Sequence, residues 1–285
     1  MTGSFKVQYV SDPVHKMKKT KRQDQTTLKD IAEMTFGRRK VSKRAKAGVL
    51  GVAAAAALAR QQVSSQEISL TPWRNICDLR ITANDGTRHT GTAWFISPRT
   101  LVTAGHCLFV VDPDRPVHGM VRSVRVMPAR RGELDEDDSL FGWAEVERED
   151  LVVHPRWEQR DLNFDYGAIK LREPLPGLDN VNDKFNFGHF RDQDLQQSMP
   201  TLSGYPDDVP EGTQWFEVNR IMQVTSHRLF YTMNTEQGQS GSPVFFRDGT
   251  ENIACAIHNF GDESLNSGVR INAEVVAQLN EWSID

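Results

Sequence analysis

Gly238-Gln239-Ser240-Gly241-Ser242-Pro243, followed by the apolar Val244-Phe245-Phe246, decides how this chain is read. A serine between glycines at the head of a strand-like run is one part of a pattern. Upstream stands Thr103-Ala104-Gly105-His106-Cys107, again behind an apolar run, and between the two Asp165 opens Asp-Tyr-Gly-Ala-Ile-Lys-Leu. Each piece alone has a bland reading: a loop serine, a core histidine beside a buried cysteine, a turn aspartate. Together, in the order His, Asp, Ser, they supply a hydroxyl nucleophile, its proton acceptor and the group that orients that acceptor. A serine hydroxyl is a poor nucleophile near neutral pH, so an imidazole must take its proton during attack and return it to the leaving group. The backbone N–H groups of Gly238 and Ser240 can converge on the oxyanion of a tetrahedral intermediate, each worth roughly 3–4 kcal/mol of barrier.

From residue 70 onward the chain reads as strand after strand. Short β-rich runs at 76–81 and 92–96 flank Asn84-Asp85-Gly86, a hairpin signal. Runs at 121–126, 144–146, 150–153 and 168–171 continue the first half. The segment 172–200 reads as a crossing, and a second half follows at 201, 215–222, 227–232, 244–246, 253–257 and 268–271. The spacing of Val275, Val276, Leu279 and Trp282 predicts a closing helix over 273–282.

These motifs, with Gly91-Thr92-Ala93-Trp94-Phe95-Ile96-Ser97-Pro98, Ser203-Gly204-Tyr205-Pro206 and Ala256-Ile257-His258-Asn259-Phe260-Gly261, resemble the trypsin-like (chymotrypsin-fold) serine peptidases. Among those the chain looks most like the bacterial glutamyl endopeptidases. The resemblance spans about residues 70–282. It implies an all-β fold of two six-stranded antiparallel barrels, about 70–175 and 198–272, with a C-terminal helix at about 273–283. It implies a serine endopeptidase acting on proteins or peptides through an acyl-enzyme, with His106 as base, Asp165 as orienting acid and Ser240 as nucleophile. Gly238 and Ser240 would form the oxyanion hole, and Asn259-Phe260-Gly261 would pair with the substrate backbone as an added strand. Asp161, four residues early, is the runner-up for the acid.

Trypsin has an aspartate six residues before its nucleophile; here Asn234 stands there, so no fixed anion awaits a Lys or Arg side chain. The resemblance instead assigns Thr235 and His258 to a pocket that donates hydrogen bonds to a Glu (or Asp) carboxylate before the scissile bond. The bland alternative for His258 is a satisfied core histidine.

Many relatives carry a cysteine just before the Gly-Thr strand, bridged to the one after the catalytic histidine; here that place reads His89-Thr90. Cys107 has no clear partner. In a 75–82/90–97 hairpin Cys77 lies too far along from Thr90 for a disulfide. Cys255 reads as a small buried apolar residue. Three cysteines give no disulfide framework. No Cys or His pair has metal-ligand spacing, and the chemistry calls for no cofactor. The acidic loop 132–139 lacks the spacing of a calcium loop.

The 285 residues carry a net charge of −4. Residues 1–46 hold 13 Lys/Arg against 4 Asp/Glu, a net of +9; the remainder holds 21 against 34, a net of −13. A basic arm thus precedes an acidic body. No aromatic-interleaved nucleic-acid motif accompanies the arm, so no nucleic-acid partner is expected. The Ala-rich run 47–59 favours helix but is too short for a stable membrane span. Residues 1–62 therefore read as a signal, a propeptide or a regulatory segment ahead of a peptidase domain at 63–285, expected to be monomeric. In glutamyl endopeptidases the new terminal amine helps complete the acid pocket, which here implies a mature terminus near 60–68. An exported enzyme is the leading reading. The alternatives are a restrained cytoplasmic regulatory protease and an inactive trypsin-fold binding module.

Overall fold

The computed structural model describes residues 60–132, 139–261 and 265–284, all within the unit Ala55–Asp285. The basic arm, the Ala-rich run and residues 133–138 of the acidic loop lie outside the described residues, and the expectations placed on them stay there.

Two barrel-like antiparallel sheets form. The first runs, in spatial order, Ala144–Glu147, Ser123–Pro128, Ile76–Thr82, Arg88–Phe95, Thr100–Thr103, Gly167–Lys170 and Leu151–Val153. The expected hairpin is present, with Ile76 opposite Trp94 and Thr82 opposite Arg88 across the Asp85-Gly86 turn. The second runs Gln61–Gln62, Trp215–Val218, Thr201–Gly204, Pro243–Asp248, Glu251–Gly261, Asn266–Arg270, Arg228–Tyr231 and Ile221–Val224. Asn186–Phe187 adds in parallel to Glu251–Gly261.

The sheets hold seven and nine strands among the described residues rather than six each. The run 215–222 breaks at Asn219, whose side chain turns back to accept from the Arg220 N–H and whose own N–H goes to the Pro200 carbonyl. Two short pieces, Gln61–Gln62 and Asn186–Phe187, extend the second sheet. The run 253–257 lengthens to Glu251–Gly261 because it has partners on both sides.

Leu79, Ile81, Phe95, Leu101, Val124, Val126 and Ile169 fill the first barrel, and Leu202, Leu229, Tyr231, Val244 and Ala256 the second. An aromatic seam joins them: Trp94 of the first sheet meets Phe185 of the crossing segment at 5.3 Å edge-on, and Phe185 meets Phe245 of the second at 5.1 Å. Such pairs add specific geometry to the burial of large apolar area. The closing helix Ala273–Ser283 is capped by Asn272, whose side chain accepts from the Val275 N–H at 3.0 Å. It presses Val275, Leu279 and Trp282 onto this seam. No helix among the described residues is long and apolar enough to cross a membrane.

Candidate active site

The strand Thr100–Thr103 is wholly buried and ends at Ala104, which stays extended. The chain then tightens into the short helix Gly105–Leu108, and this change of direction turns His106 out of the first barrel. Asp165 follows the single 3-10 turn Leu162–Phe164 and is fully buried. Its carboxylate takes two bonds from one residue: the His106 N–H donates to Oδ1 at 2.7 Å, and His106 Nδ1 lies 2.8 Å from Oδ2. The imidazole is therefore fixed in both position and tautomer, with Nε2 left for another partner. Burial opposes protonation of His106, but the charge of Asp165 and its hydrogen bond together outweigh it and hold the ring above its ordinary 6.5. Asp161 has a different task. It caps the 3-10 turn through the Asn163 N–H at 3.1 Å and pairs with Arg156.

Ser240 arrives from the second barrel on the loop before Pro243–Asp248 and is partly exposed. Its carbonyl accepts from the Thr92 N–H of the first barrel at 2.8 Å and lies 3.7 Å from the Cys107 thiol, next to His106. Among the described residues its hydroxyl has no hydrogen-bond partner, the His106 ring included. Such contacts often tighten only when substrate is bound. Gly238 and Gly241 adopt φ of +87° and +90°, which a side chain resists. Space forbids one as well, because a Cβ on Gly238 would strike the Tyr205 carbonyl and one on Gly241 the Thr92 carbonyl. Among the described residues, neither the Gly238 nor the Ser240 N–H has an acceptor in the protein.

Thr92 was not singled out in the sequence, yet it shapes this loop from the opposite barrel. Its hydroxyl donates to the Gly238 carbonyl at 2.8 Å and accepts from the Tyr205 N–H at 3.1 Å. A Gly-Thr pair four residues along a hairpin strand carries no such message until the second barrel is in place.

The residues expected to line the pocket each have a place. Gly261 is packed so closely that a Cβ there would lie 3.1 Å from Thr235 Oγ1. The Phe260 ring stacks on the His106 ring at 5.5 Å. Asn259 is buried and its amide donates to the Asp165 carbonyl, while its oxygen accepts from the Val269 N–H at 2.7 Å. His258 is 3% exposed, and its Nδ1 lies 2.7 Å from the buried Tyr231 hydroxyl. Burial first, then the charges of His106 and Arg228, push His258 down to about 3 against an opposing bond with the Ser267 backbone. His258 is thus neutral near pH 7.

Cys77, Cys107 and Cys255 are free and buried. Cys77 sits opposite Ala93, three residues from Thr90. Among the described residues no three His, Cys, Asp or Glu side chains group as metal ligands.

The Trypsin family model matches residues 62–282. The glutamyl endopeptidase of Bacillus licheniformis is 32% identical over 199 residues, covering 67% of this chain and 58% of that protein. A Bacillus subtilis protein named extracellular metalloprotease is 30% identical over 220 residues, covering 74% and 64%. The chain thus spans about three fifths of the length of these curated relatives. A solved structure of Glu endopeptidase in complex with MPD superposes with a TM-score of 0.65 at 19% identity, covering 80% of this chain and 97% of that one, a likeness of fold. Two barrel-like sheets, a closing helix and a family match running through nearly all of both lead to one conclusion: the chain belongs to the Trypsin family.

Proposed function

We propose that the chain is a serine endopeptidase. The observation that carries this is the doubly bonded His106–Asp165 pair beside the Ser240 loop. As the Ser240 hydroxyl attacks a peptide carbonyl, its proton passes to His106 Nε2. The C–O bond forms and the oxyanion is met by the N–H groups of Gly238 and Ser240. The C–N bond then breaks, the imidazolium gives its proton to the departing amine, and water releases the acyl group by the same path. Asp165 holds the imidazole and offsets its positive charge. Phosphonofluoridate labelling tests this directly: a single adduct on Ser240 and complete inactivation are expected, and an active Ser240→Ala protein would end the proposal.

The preferred substrate carries Glu, and less well Asp, before the scissile bond. Thr235 beside Gly261, the neutral His258 and the uncharged Asn234 support this, since none of the three side chains is an anion. The name of the Bacillus licheniformis relative points the same way. Matched peptides with Glu, Gln, Lys or Phe at that place decide it; equal rates for Glu and Gln would overturn it. Residues 63–285 form the peptidase domain on this reading, and 1–62 are removed from an exported enzyme. Terminal sequencing and fractionation of the native protein test this, and full activity in a cytoplasmic chain that retains Met1 would refute it.

A further inference from the structure

Arg228 is the most unusual charge in the described protein. It lies in the strand Arg228–Tyr231, 1% exposed, and no carboxylate among the described residues is within ion-pair distance of it. Two neutral groups hold it: Nη1 donates to the Leu162 carbonyl at 2.6 Å and Nη2 to the Ser267 hydroxyl at 2.7 Å. Its Nε is buried and unpartnered. Burying a cation this way is costly, and a guanidinium cannot shed its proton to avoid the cost.

Its position supplies a reason. The Phe260 ring that stacks on His106 is also 5.5 Å from the Arg228 guanidinium. Leu162 begins the turn that ends at Asp165. Arg228 therefore stands behind the His106–Asp165 pair, touching the wall on one side and the aspartate's turn on the other. Burial weakens its hold on its proton, and the charge of Asp165 restores part of it.

The groups around this relay leave few charges. Cys107, on the helix of His106, is pushed up to about 12 by burial and stays a thiol. Tyr231, on the strand of Arg228, is raised well above 10 by burial and stays a phenol. His258, on the strand behind, is neutral. Near neutral pH the buried surroundings of His106 thus hold one anion, Asp165, and one cation, Arg228.

We infer that Arg228 is a positioning residue of the proton relay, a buried counter-charge that balances Asp165 and limits how tightly His106 holds a proton. This rests on the triad reading proposed above. Asp165 alone would raise the affinity of the imidazole for protons and leave the base blocked at mildly acid pH; a cation beyond the carboxylate opposes that rise.

The test is the pH profile of kcat/KM on a Glu peptide for the active protein as processed in its native cell and its Arg228→Gln and Arg228→Lys variants, with folding checked by circular dichroism. The acid limb reports the pKa of the base in the free enzyme. Arg228→Gln should move that limb up by about half to one unit. Arg228→Lys places there an amine that burial can partly neutralise, so its limb should lie between those of the wild type and the Gln variant. A merely structural role would lower activity equally at all pH values. A folded Gln variant with an unmoved limb overturns the inference. So does a Lys variant whose limb shifts downward, below the wild type, which decides the matter even where the Gln variant does not fold. Turnover retained in Ser240→Ala would remove the triad reading and the inference with it, an outcome distinct from an unmoved limb.

Discussion

The Tyr231 hydroxyl and His258 Nδ1 lie 2.7 Å apart, with both side chains buried. When the imidazole accepts the tyrosine proton at Nδ1, its own sits on Nε2, so the hydroxyl and the tautomer of the ring are coupled. Tyr231→Phe removes that coupling. It should lower the preference for a Glu over a Gln peptide by about tenfold, the size of one buried hydrogen bond. Paired kcat/KM measurements check this, and an unchanged ratio would remove His258 from substrate recognition.

The same histidine makes the fold sensitive to acid. His258 is down at about 3 in the folded chain against 6.5 when unfolded. Between those values the unfolded chain binds the extra proton, so stability falls as pH falls through 6.5 towards 3, by up to about 1.4 kcal/mol per pH unit. Urea unfolding of Ser240→Ala, which cannot digest itself, should show this decline. Ser240→Ala/His258→Gln should show a shallower one; parallel curves would contradict the burial argument.

Asp165 and Asp161 are four residues apart and only the first touches His106. Asp165→Asn should lower kcat by up to roughly 10⁴ by leaving the imidazole in the wrong tautomer. Asp161→Asn loses a cap and a surface pair, and should cost about 1 kcal/mol of stability with little change in turnover. The reverse ranking in steady-state kinetics would reassign the acid.

Thr92→Val keeps the shape of the side chain and removes the hydroxyl that joins the Gly238 carbonyl to the Tyr205 N–H. With the oxyanion donors less firmly aimed, kcat should fall about 10- to 100-fold with KM little changed, and Thr92→Ser should restore most of it. A loss confined to KM would mean that Thr92 serves substrate binding instead.

One relative carries a metalloprotease name, yet among the described residues no three side chains group as metal ligands. Activity should survive dialysis against EDTA and vanish with a serine-directed phosphonofluoridate. Loss in EDTA with recovery on adding zinc would point to a different chemistry.

The motif residues were legible because their chemistry is local. A nucleophile loop needs its glycines wherever it occurs, and His106 and Asp165 each stand at a strand end marked by apolar neighbours. The Asp85-Gly86 hairpin and the closing helix were legible for the same reason. Arg228 was not. In His227-Arg228-Leu229 an arginine reads as a solvated side of an alternating strand, and only the partners Leu162 and Ser267, 66 and 39 residues away, show it to be inside. Gln61–Gln62 and Asn186–Phe187 were missed because two residues carry no periodicity, and each becomes a strand only when an edge is offered.

The glycines flanking Ser240 have a consequence for descent. Gly241 sits where the two halves of the molecule nearly touch and Gly238 against the Tyr205 carbonyl of its own half, so a methyl group at either place would force the backbone apart whatever the chemistry nearby. Selection for a folded body alone will preserve Gly238 and Gly241. A lineage that abandoned catalysis would keep this signature long after losing its serine, and the glycines of such a sequence record ancestry of shape, whereas on the proposed reading turnover is recorded only in the side chains at 106, 165 and 240.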